Sequence, residues 1–274
     1  MELRMLQAQD LPEATQLSYA AGWNQTTQDW QMLLDLAPAT CFGIEMDGSV
    51  VATTILLPLG PALAWLGMVL TRRDYQHRGL ARRLVTHSLE AARRLGLGTV
   101  GLDATDQGQP IYKAVGFVAG PAIERWAADE IRTNAIQPAH ADAPPSNWVA
   151  DAAELDRAAF GTDRTALLTA LMRHGWSAAA ADQGYASARP GRRANYVGPC
   201  VARTPELARD LISRCFALRS GPWMWDLFPG HAATAALAAG FGFQPVRHLV
   251  RMYHGQPPAG DSSLIYATAG FELG

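Results

Sequence analysis

An imperfect internal repeat constrains the fold of this chain more than any other feature. The segment WLGMVLT at 65–71 aligns with YVGPCVA at 196–202, and GLARRLV at 79–85 aligns with ELARDLI at 206–212. Further along, AVGF at 114–117 is matched by GFGF at 240–243, and each is followed by a strand-like stretch that contains an arginine. Repeats in the same order indicate two copies of one fold. The 274 residues also suffice for two domains of roughly 130 residues, each with its own core.

A segment without apolar periodicity separates the two copies. Residues 134–147, NAIQPAHADAPPSN, are rich in Pro, Ala and Asn, as is typical of a linker. We therefore expect one domain at 1–133 and a second at 148–274.

Strand and helix patterns alternate along the first copy, which predicts an α/β (α+β) fold with a mixed sheet flanked by helices. The dipeptide Asp47-Gly48 between two apolar runs is a strong hairpin signal. A helix from Gly79 to the region of Gly96 carries its apolar residues on one face. The predicted elements are strand Leu3–Leu6, helices Leu11–Ala21 and Thr27–Leu36, paired strands within Cys41–Leu57, strand Ala64–Leu70, the helix from Gly79, strand Thr99–Asp103, a helix near Pro110–Val115, and strand Ala122–Ala127.

Composition argues against several classes of partner. The net charge of −2 and the pI near 6.4 give no basic surface for nucleic acid. The uncharged run Ser49–Thr71 is interrupted by Pro58, Gly60 and Pro61, so we interpret it as two buried strands and not as a membrane helix.

The cysteines and the N-terminus bear on metal binding and location. The three cysteines have no metal-ligand spacing, so we expect no metal. The first residues, MELRMLQAQDLPE, lack the apolar core of a signal peptide, and we expect a cytoplasmic protein. Lys113 is the only lysine, and with the abundant alanine this indicates a GC-rich bacterial genome.

The turn between the strand at 64–70 and the next helix has the features of an anion site. Unpaired N–H groups of a first helical turn point outward, the helix dipole favours negative charge there, and Gly79 lets a ligand approach the backbone. A pyrophosphate would fit this turn. Several arginines crowd the same place, namely Arg72, Arg73, Arg78, Arg82 and Arg83.

The sequence of this turn, QHRGLA at 76–81, resembles the Q/R-x-x-G-x-G/A turn of the GNAT superfamily of N-acetyltransferases. A downstream Y-x-x-x-G-F, at 112–117, resembles a second family feature. The resemblance implies that both copies adopt the GNAT fold, with a splayed sheet that admits acetyl-CoA as acyl donor. It implies that the backbone of Met68, Val69 and Leu70 binds the pantetheine arm. It also implies a pyrophosphate site made of Gln76, His77, Arg78, Gly79, Leu80 and Ala81.

The same resemblance implies the chemistry. An amine attacks the thioester directly in a ternary complex, and Tyr112, at the family's tyrosine position, protonates the leaving thiolate. The alternative for Tyr112 is a core aromatic. No carboxylate occupies an obvious position for the general base. Asp103 and Asp106 are near in sequence, although an Asp between a strand and a helix is more often a cap.

The second copy lacks the four extra residues of this turn, since RTP at 203–205 stands where the first copy has RRDYQHR at 72–78. We therefore expect it not to bind coenzyme A. This arrangement is similar to that of the bacterial tandem-GNAT, or YitH-like, group, whose second domain is degenerate, and GWNQT at 22–26 and FGTDR at 160–164 resemble that group. The resemblance makes Trp23, Asn24, Asp163 and Arg164 candidates for the acceptor cleft. The alternative is that Trp23 packs and that Asp163 caps a helix.

Trp223 and Trp225 of the second copy share a face at strand spacing, so we expect them in its core, with Asp226 pointing the other way. The function favoured by the sequence is N-acetylation of a small-molecule amine by a monomer or homodimer. A non-catalytic acyl-CoA sensor is the alternative because no base is evident. A protein-modifying enzyme is less favoured, since the second domain would crowd an extended peptide.

Overall fold

The computed structural model describes residues 1–132 and 147–274. In these residues, strands and helices alternate in a mixed α/β order, as predicted. The helices are α1 Leu11–Ala20, α2 Thr27–Leu36, α3 Leu80–Arg94, α4 Gln109–Lys113, α5 Trp148–Phe160, α6 Thr165–His174, α7 Pro205–Ala217 and α8 Ala232–Phe241. The strands are β1 Glu2–Met5, β2 Cys41–Met46, β3 Ser49–Leu59, β4 Leu63–Thr71, β5 Thr99–Ala104, β6 Val118–Ala128, β7 Trp176–Ala180, β8 Gly184–Arg189, β9 Asn195–Ala202, β10 Trp223–Leu227, β11 Gln244–His254 and β12 Ile265–Ala267. The predicted linker lies outside the described residues except for Asn147.

Two local predictions are confirmed, namely the hairpin turn at Asp47-Gly48 and the pair of strands in the uncharged run. Asp47 and Gly48 have φ values of 53° and 76° and join β2 to β3 as a tight hairpin turn. The uncharged run is the β3–β4 pair. Among the eight helices of the described residues, none combines the length and the apolar character that a membrane crossing needs.

The described residues form two compact units, and each unit combines segments from distant parts of the sequence. Unit 1 comprises Met1–Gly120, Arg251–Pro257 and Leu273, and unit 2 comprises Pro121–Val250, Pro258–Glu272 and Gly274. This division differs from the domains expected at 1–133 and 148–274. The strand residues 121–128 belong to unit 2, and residues 251–257 belong to unit 1.

Pairing of β6 with β10 explains the first of these differences. The two strands are antiparallel, and Arg125 stands directly opposite Asp226. The Arg125 guanidinium donates two hydrogen bonds, of 2.7 and 2.6 Å, to the Asp226 carboxylate. Because a buried charge needs an opposite partner, this pair fixes the register of β6. The side chain of Asp226, which was expected to point away from Trp223 and Trp225, is buried in this ion pair.

In unit 1, the sheet runs in the order β1-β2-β3-β4-β5, with the last residues of β11 beside β5. The β4–β5 pair is parallel, whereas the pairs from β1 to β4 are antiparallel. Helix α3 packs its apolar stripe, which includes Leu84, Val85 and Leu89, against β2, β3 and β4.

In unit 2, the order is β6-β10-β9-β8-β7, and β12 pairs with β9. Trp223 and Trp225 are fully buried against Phe216, which confirms the prediction that they belong to the core.

Candidate active site

Strands β4 and β5 of unit 1 separate after three paired residues. Leu63–Trp65 lie opposite Thr99–Gly101, and the described structure registers no further pair between the two strands. At Met68 the chain has a φ of 52°, and the β3–β4 register shifts in this region. The Thr53 hydroxyl donates to the Met68 carbonyl at 2.9 Å. A bulge bends its strand, so β4 turns away and leaves a gap beside Met68, Val69 and Leu70.

The turn that follows β4 is held by its own side chains. Arg73–Tyr75 form a short 3-10 turn, and His77 and Gly79 are left-handed, with φ values of 61° and 78°. The Gln76 amide donates to the Thr71 carbonyl at 3.2 Å, and the Arg78 guanidinium donates to the Asp74 carbonyl at 2.9 Å. The chain therefore enters α3 in a fixed conformation.

The N-terminus of α3 is open to a ligand. Gly79 is its N-cap, no side chain of the described residues caps it, and its first turn contains no acidic residue. A Cβ built on Gly79 would meet no atom within 4 Å. Unpaired N–H groups, the positive end of the helix dipole and free access together make an anion-binding site.

The arginines near this turn differ in their contacts. Arg72 forms an ion pair with Asp74 at 2.9 Å and stacks on the Tyr75 ring. Arg82 and Arg83 are exposed and, together with Gly79, line a pocket of about 600 Å³. His87 also lines this pocket. Burial, and then the charge of Arg94, lower the pKa of His87, which disfavours its charged form.

Tyr112 lies on α4 as the sequence predicts. Its ring packs edge-on against Phe117 at 5.8 Å. A Cβ on Gly108 would approach the Tyr112 ring to 3.0 Å, so a glycine leaves room for it. Burial raises the pKa of Tyr112 to about 12. The phenol therefore keeps its proton at neutral pH, as a proton donor must.

Phe117 also contacts a residue that the sequence analysis did not single out. The His254 ring lies 5.7 Å from the Phe117 ring and beside Gly116. His254 comes from β11, far along the chain, and the only sequence signal for it was the arginine-containing strand after GFGF.

The candidate bases are engaged with other groups. The Asp103 carboxylate accepts two hydrogen bonds from the Arg251 guanidinium, at 2.8 and 2.9 Å, and Asp106 accepts one from the Gln109 amide at 3.1 Å. An arginine held this way stabilises the ionised carboxylate and makes it a weaker proton acceptor. Cys41 is also unsuited to catalysis, since burial raises the pKa of its thiol to about 12.

Both copies of the repeat match models of one enzyme family. Residues 5–117 match the model described as the acetyltransferase (GNAT) family, and residues 152–267 match the acetyltransferase (GNAT) domain. The chain belongs to the GNAT acetyltransferase family. It is therefore an acyltransferase with two GNAT domains in tandem.

Comparison with individual proteins agrees with this assignment. The chain is similar to YitH of Bacillus subtilis, named as an uncharacterized N-acetyltransferase, with 25% identity over 85% of this chain and 84% of YitH. Its fold is similar to that of a proposed acetyltransferase from Pyrococcus horikoshii, with a TM-score of 0.86, 22% identity, and coverage of 100% of this chain and 95% of the other. It is also similar to a tandem GNAT protein of the clavulanic acid pathway, with a TM-score of 0.66, 19% identity, and coverage of 93% and 98%.

The loop between α1 and α2 of the first GNAT domain contains two of the expected acceptor residues. Trp23 is half-buried and Asn24 is buried. The loop is anchored at its end, where Thr26 caps α2 in a capping box with Asp29. The next residue, Gln25, is 7% exposed, and its Oε1 has no hydrogen-bond partner in the described structure.

The other two expected acceptor residues have structural roles in unit 2. Asp163 accepts a hydrogen bond from the Thr165 backbone at 2.9 Å and so caps α6, as the alternative interpretation holds. Arg164 is 2% exposed, and its guanidinium donates to Asp156 at 2.7 and 3.1 Å. In this structure Arg164 is therefore a buried ion-pair partner without an accessible guanidinium.

The second GNAT domain has a gap in the same place, but it is filled by the chain itself. Asn195–Val197 of β9 pair with Trp223–Trp225 of β10, and beyond this β12 pairs with β9. The Thr268 backbone N–H donates to the Asp226 carbonyl at 3.0 Å, so the segment after β12 bonds to β10 as well. The Trp225 indole donates to the Tyr266 carbonyl at 2.8 Å. Residues 265–268 thus lie between β9 and β10 as an additional strand.

The helix that follows β9 also begins differently from α3. The Thr204 hydroxyl accepts from the Leu207 N–H at 3.2 Å, Pro205 has no N–H, and Glu206 lies in the first turn. This N-terminus is already capped and carries a negative charge. It therefore lacks the donors and the positive field that α3 offers an anion.

Proposed function

We propose that unit 1 transfers an acetyl group from acetyl-CoA to the primary amine of a small molecule, by direct attack in a ternary complex. The observation that carries the proposal is the continuity of two features. Strands β4 and β5 stop pairing before Met68–Leu70, and the chain runs from the end of β4 through the turn to the uncapped N-terminus of α3. A strand gap offers unpaired backbone groups to the amides of a pantetheine arm, and the helix start offers donors to a pyrophosphate.

Backbone groups and side chains near the turn would have different roles in binding acetyl-CoA. The backbone of Gln76–Ala81 would bind the pyrophosphate, since His77 and Gly79 hold that backbone in left-handed conformations. The exposed side chains of Arg82 and Arg83 would add positive charge. Because the binding is mainly to backbone groups, side-chain substitutions in the turn should matter less than changes that block access to it.

Tyr112 would act on the leaving group. The substrate ammonium first loses one proton to water, because Asp103 is held by Arg251. The neutral amine nitrogen then attacks the thioester carbonyl, the carbon–sulfur bond breaks, and the thiolate takes the proton of the Tyr112 hydroxyl. The second proton released by the nitrogen returns the Tyr112 phenolate to the phenol. For the acceptor we propose the α1–α2 loop, with the half-buried Trp23 and with Asn24.

We further propose that each chain binds one acetyl-CoA. In unit 2, the gap is filled and the N-terminus of α7 is capped. Unit 2 therefore lacks both of the features that we propose bind acetyl-CoA in unit 1. Calorimetry with acetyl-CoA should fit one site per chain, and two equivalent sites would contradict this asymmetry.

The activity itself is tested by thiol release. Purified full-length protein is incubated with acetyl-CoA and a panel of small primary amines, with lysine-containing peptides as a second panel. We expect amine-dependent release of free thiol with a small amine. Preference for the peptides would overturn the small-molecule assignment.

The second candidate is a non-catalytic acyl-CoA-binding protein, favoured by the ion pair that occupies Asp103. It predicts the same single binding site but no thiol release above the buffer rate with any amine. Binding without turnover on either panel would contradict acetyl transfer to these amines and favour the sensor.

A further inference from the structure

We propose that Arg251 is a positioning residue for the donor site, because it bridges β4 and β5 where their backbone pairing ends and so sets the width of the gap. The proposal rests on the function proposed above, in which this gap receives the pantetheine arm. Arg251 comes from β11 in the second copy of the repeat, yet it belongs to unit 1.

The side chain of Arg251 contacts both β4 and β5. On β5, Asp103 is bound by Arg251 Nε at 2.8 Å and by Nη2 at 2.9 Å. On β4, the Trp65 ring centroid lies 4.4 Å from the Arg251 guanidinium carbon. Trp65 and Gly101 are the last registered pair of the two strands. Arg251 therefore contacts β4 at the last pair and β5 two residues further on.

The neighbouring residues leave the bridge little freedom. A Cβ on Gly101 would come within 2.5 Å of the Trp65 ring, so this ring lies directly over β5. The same Cβ would come within 3.1 Å of the Tyr253 ring. Arg251 itself is 4% exposed, and the Asp103 side chain has no exposed surface. A planar guanidinium can bind a carboxylate with two parallel bonds and stack on a ring at once, which a lysine cannot do.

Unit 2 contains a matched ion pair that serves as a control. Arg125 follows Phe117 by eight residues, and Arg251 follows Phe243 by eight. Arg125 also binds its aspartate, Asp226, with two bonds, of 2.7 and 2.6 Å, and it is buried. The gap in that unit is filled by β12. Loss of Arg125 should therefore cost stability as loss of Arg251 does, without changing a donor site.

The test compares full-length Arg251→Met, Arg251→Lys and Arg125→Met with the unchanged protein. Each variant is assayed for thermal unfolding, for acetyl-CoA affinity by calorimetry well below its melting temperature, and for the KM and kcat of thiol release. We expect both Arg251 variants to bind acetyl-CoA at least about tenfold more weakly, which corresponds to a loss of only about 1.4 kcal/mol of binding free energy. Their kcat at saturating acetyl-CoA should stay within about threefold of the unchanged protein, because Tyr112 is untouched.

Arg125→Met should lose comparable melting temperature and keep its affinity within about twofold, as additivity for separate sites requires. Equal loss of affinity in the Arg125 and Arg251 variants, or unchanged affinity in Arg251→Lys and Arg251→Met, would overturn the positioning role. If Arg251→Met does not fold, Arg251→Lys and Asp103→Asn provide the same comparison. Failure of the unchanged protein to bind acetyl-CoA would instead refute the proposed function, so the two failures are distinguishable.

Discussion

Replacement of Gly79 by alanine separates the ligand-binding role of the α3 N-terminus from its role in folding. Gly79 has a φ of 78°, a region that costs an L-residue roughly 1–2 kcal/mol. The added methyl group meets no protein atom within 4 Å, so backbone strain is the only cost to the empty protein. We expect the methyl group to hinder the approach of a pyrophosphate to the first-turn N–H groups.

The same helix supplies the control. Gly96, just past the C-terminus of α3, has a φ of 73°, and a Cβ there also meets no atom within 4 Å. Gly96→Ala should therefore carry the same strain of about 1–2 kcal/mol and lower the melting temperature by a similar amount. It lies at the opposite end of the helix from the proposed pyrophosphate site, so its acetyl-CoA affinity should be unchanged.

The assay is calorimetric titration of both variants with acetyl-CoA, together with thermal unfolding in the absence of ligand. Displacing the phosphates from two hydrogen bonds to N–H groups, at about 1.5 kcal/mol each for a charged acceptor, weakens binding by about 3 kcal/mol, or roughly a hundredfold. Equal affinities for Gly79→Ala and Gly96→Ala would refute the anion site at the α3 N-terminus.

Three further outcomes are expected. Tyr112→Phe keeps the ring that packs on Phe117 and should lower kcat by about 10²–10⁴-fold with little change in acetyl-CoA affinity, whereas an unchanged kcat would exclude the proton-donor role. Because burial raises the pKa of Tyr112 to about 12, its protonated form persists at alkaline pH, and a pH–rate profile should show no loss of activity from this group up to about pH 11; a loss near pH 10 would mean that the phenol is accessible to water. Arg164→Met leaves the buried Asp156 carboxylate without its arginine and should cost about 3–5 kcal/mol in urea unfolding, against about 1 kcal/mol for Asp163→Ala, which removes a hydrogen bond at the start of α6 and an exposed ion pair with Arg157. If instead Arg164→Met retained full stability and raised the KM for the acceptor, the substrate role would be restored to Arg164.

The elements proposed to form the donor site could be predicted from sequence because their signals are local. A strand, a turn with Gly79 and an amphipathic helix follow one another within a short segment, and each step depends on neighbours along the chain. Tyr112 could be placed on its helix for the same reason. These predictions used the order of elements and needed no knowledge of which strands pair.

The partner of Asp103 could not be predicted, because Arg251 is 148 residues away. In a tandem repeat, the strand after AVGF and the strand after GFGF have similar patterns, and each offers an arginine at the same distance from its Phe. Local preference therefore does not decide which of them joins β5. The burial of Arg164 was hidden in the same way, since its partners Asp156 and Tyr185 become neighbours only when α5, α6 and β8 pack together.

The two copies thus share a scaffold and differ in what their gaps contain. Each unit has a parallel strand pair that separates after three residues. In each, one strand of that pair carries an aspartate that binds an arginine from the next strand of the sheet. Where the turn is long and Gly79 leads the helix, the gap stays open to a ligand. Where the turn is shortened, Thr204 caps the helix and residues 265–268 complete the sheet. Filling of the gap satisfies backbone groups that would otherwise lack partners, as the interior of a sheet requires. An unfilled gap is stable only where its backbone groups remain accessible to solvent or to a ligand. The second copy, which has lost the ligand site, therefore also needs the additional strand that fills its gap.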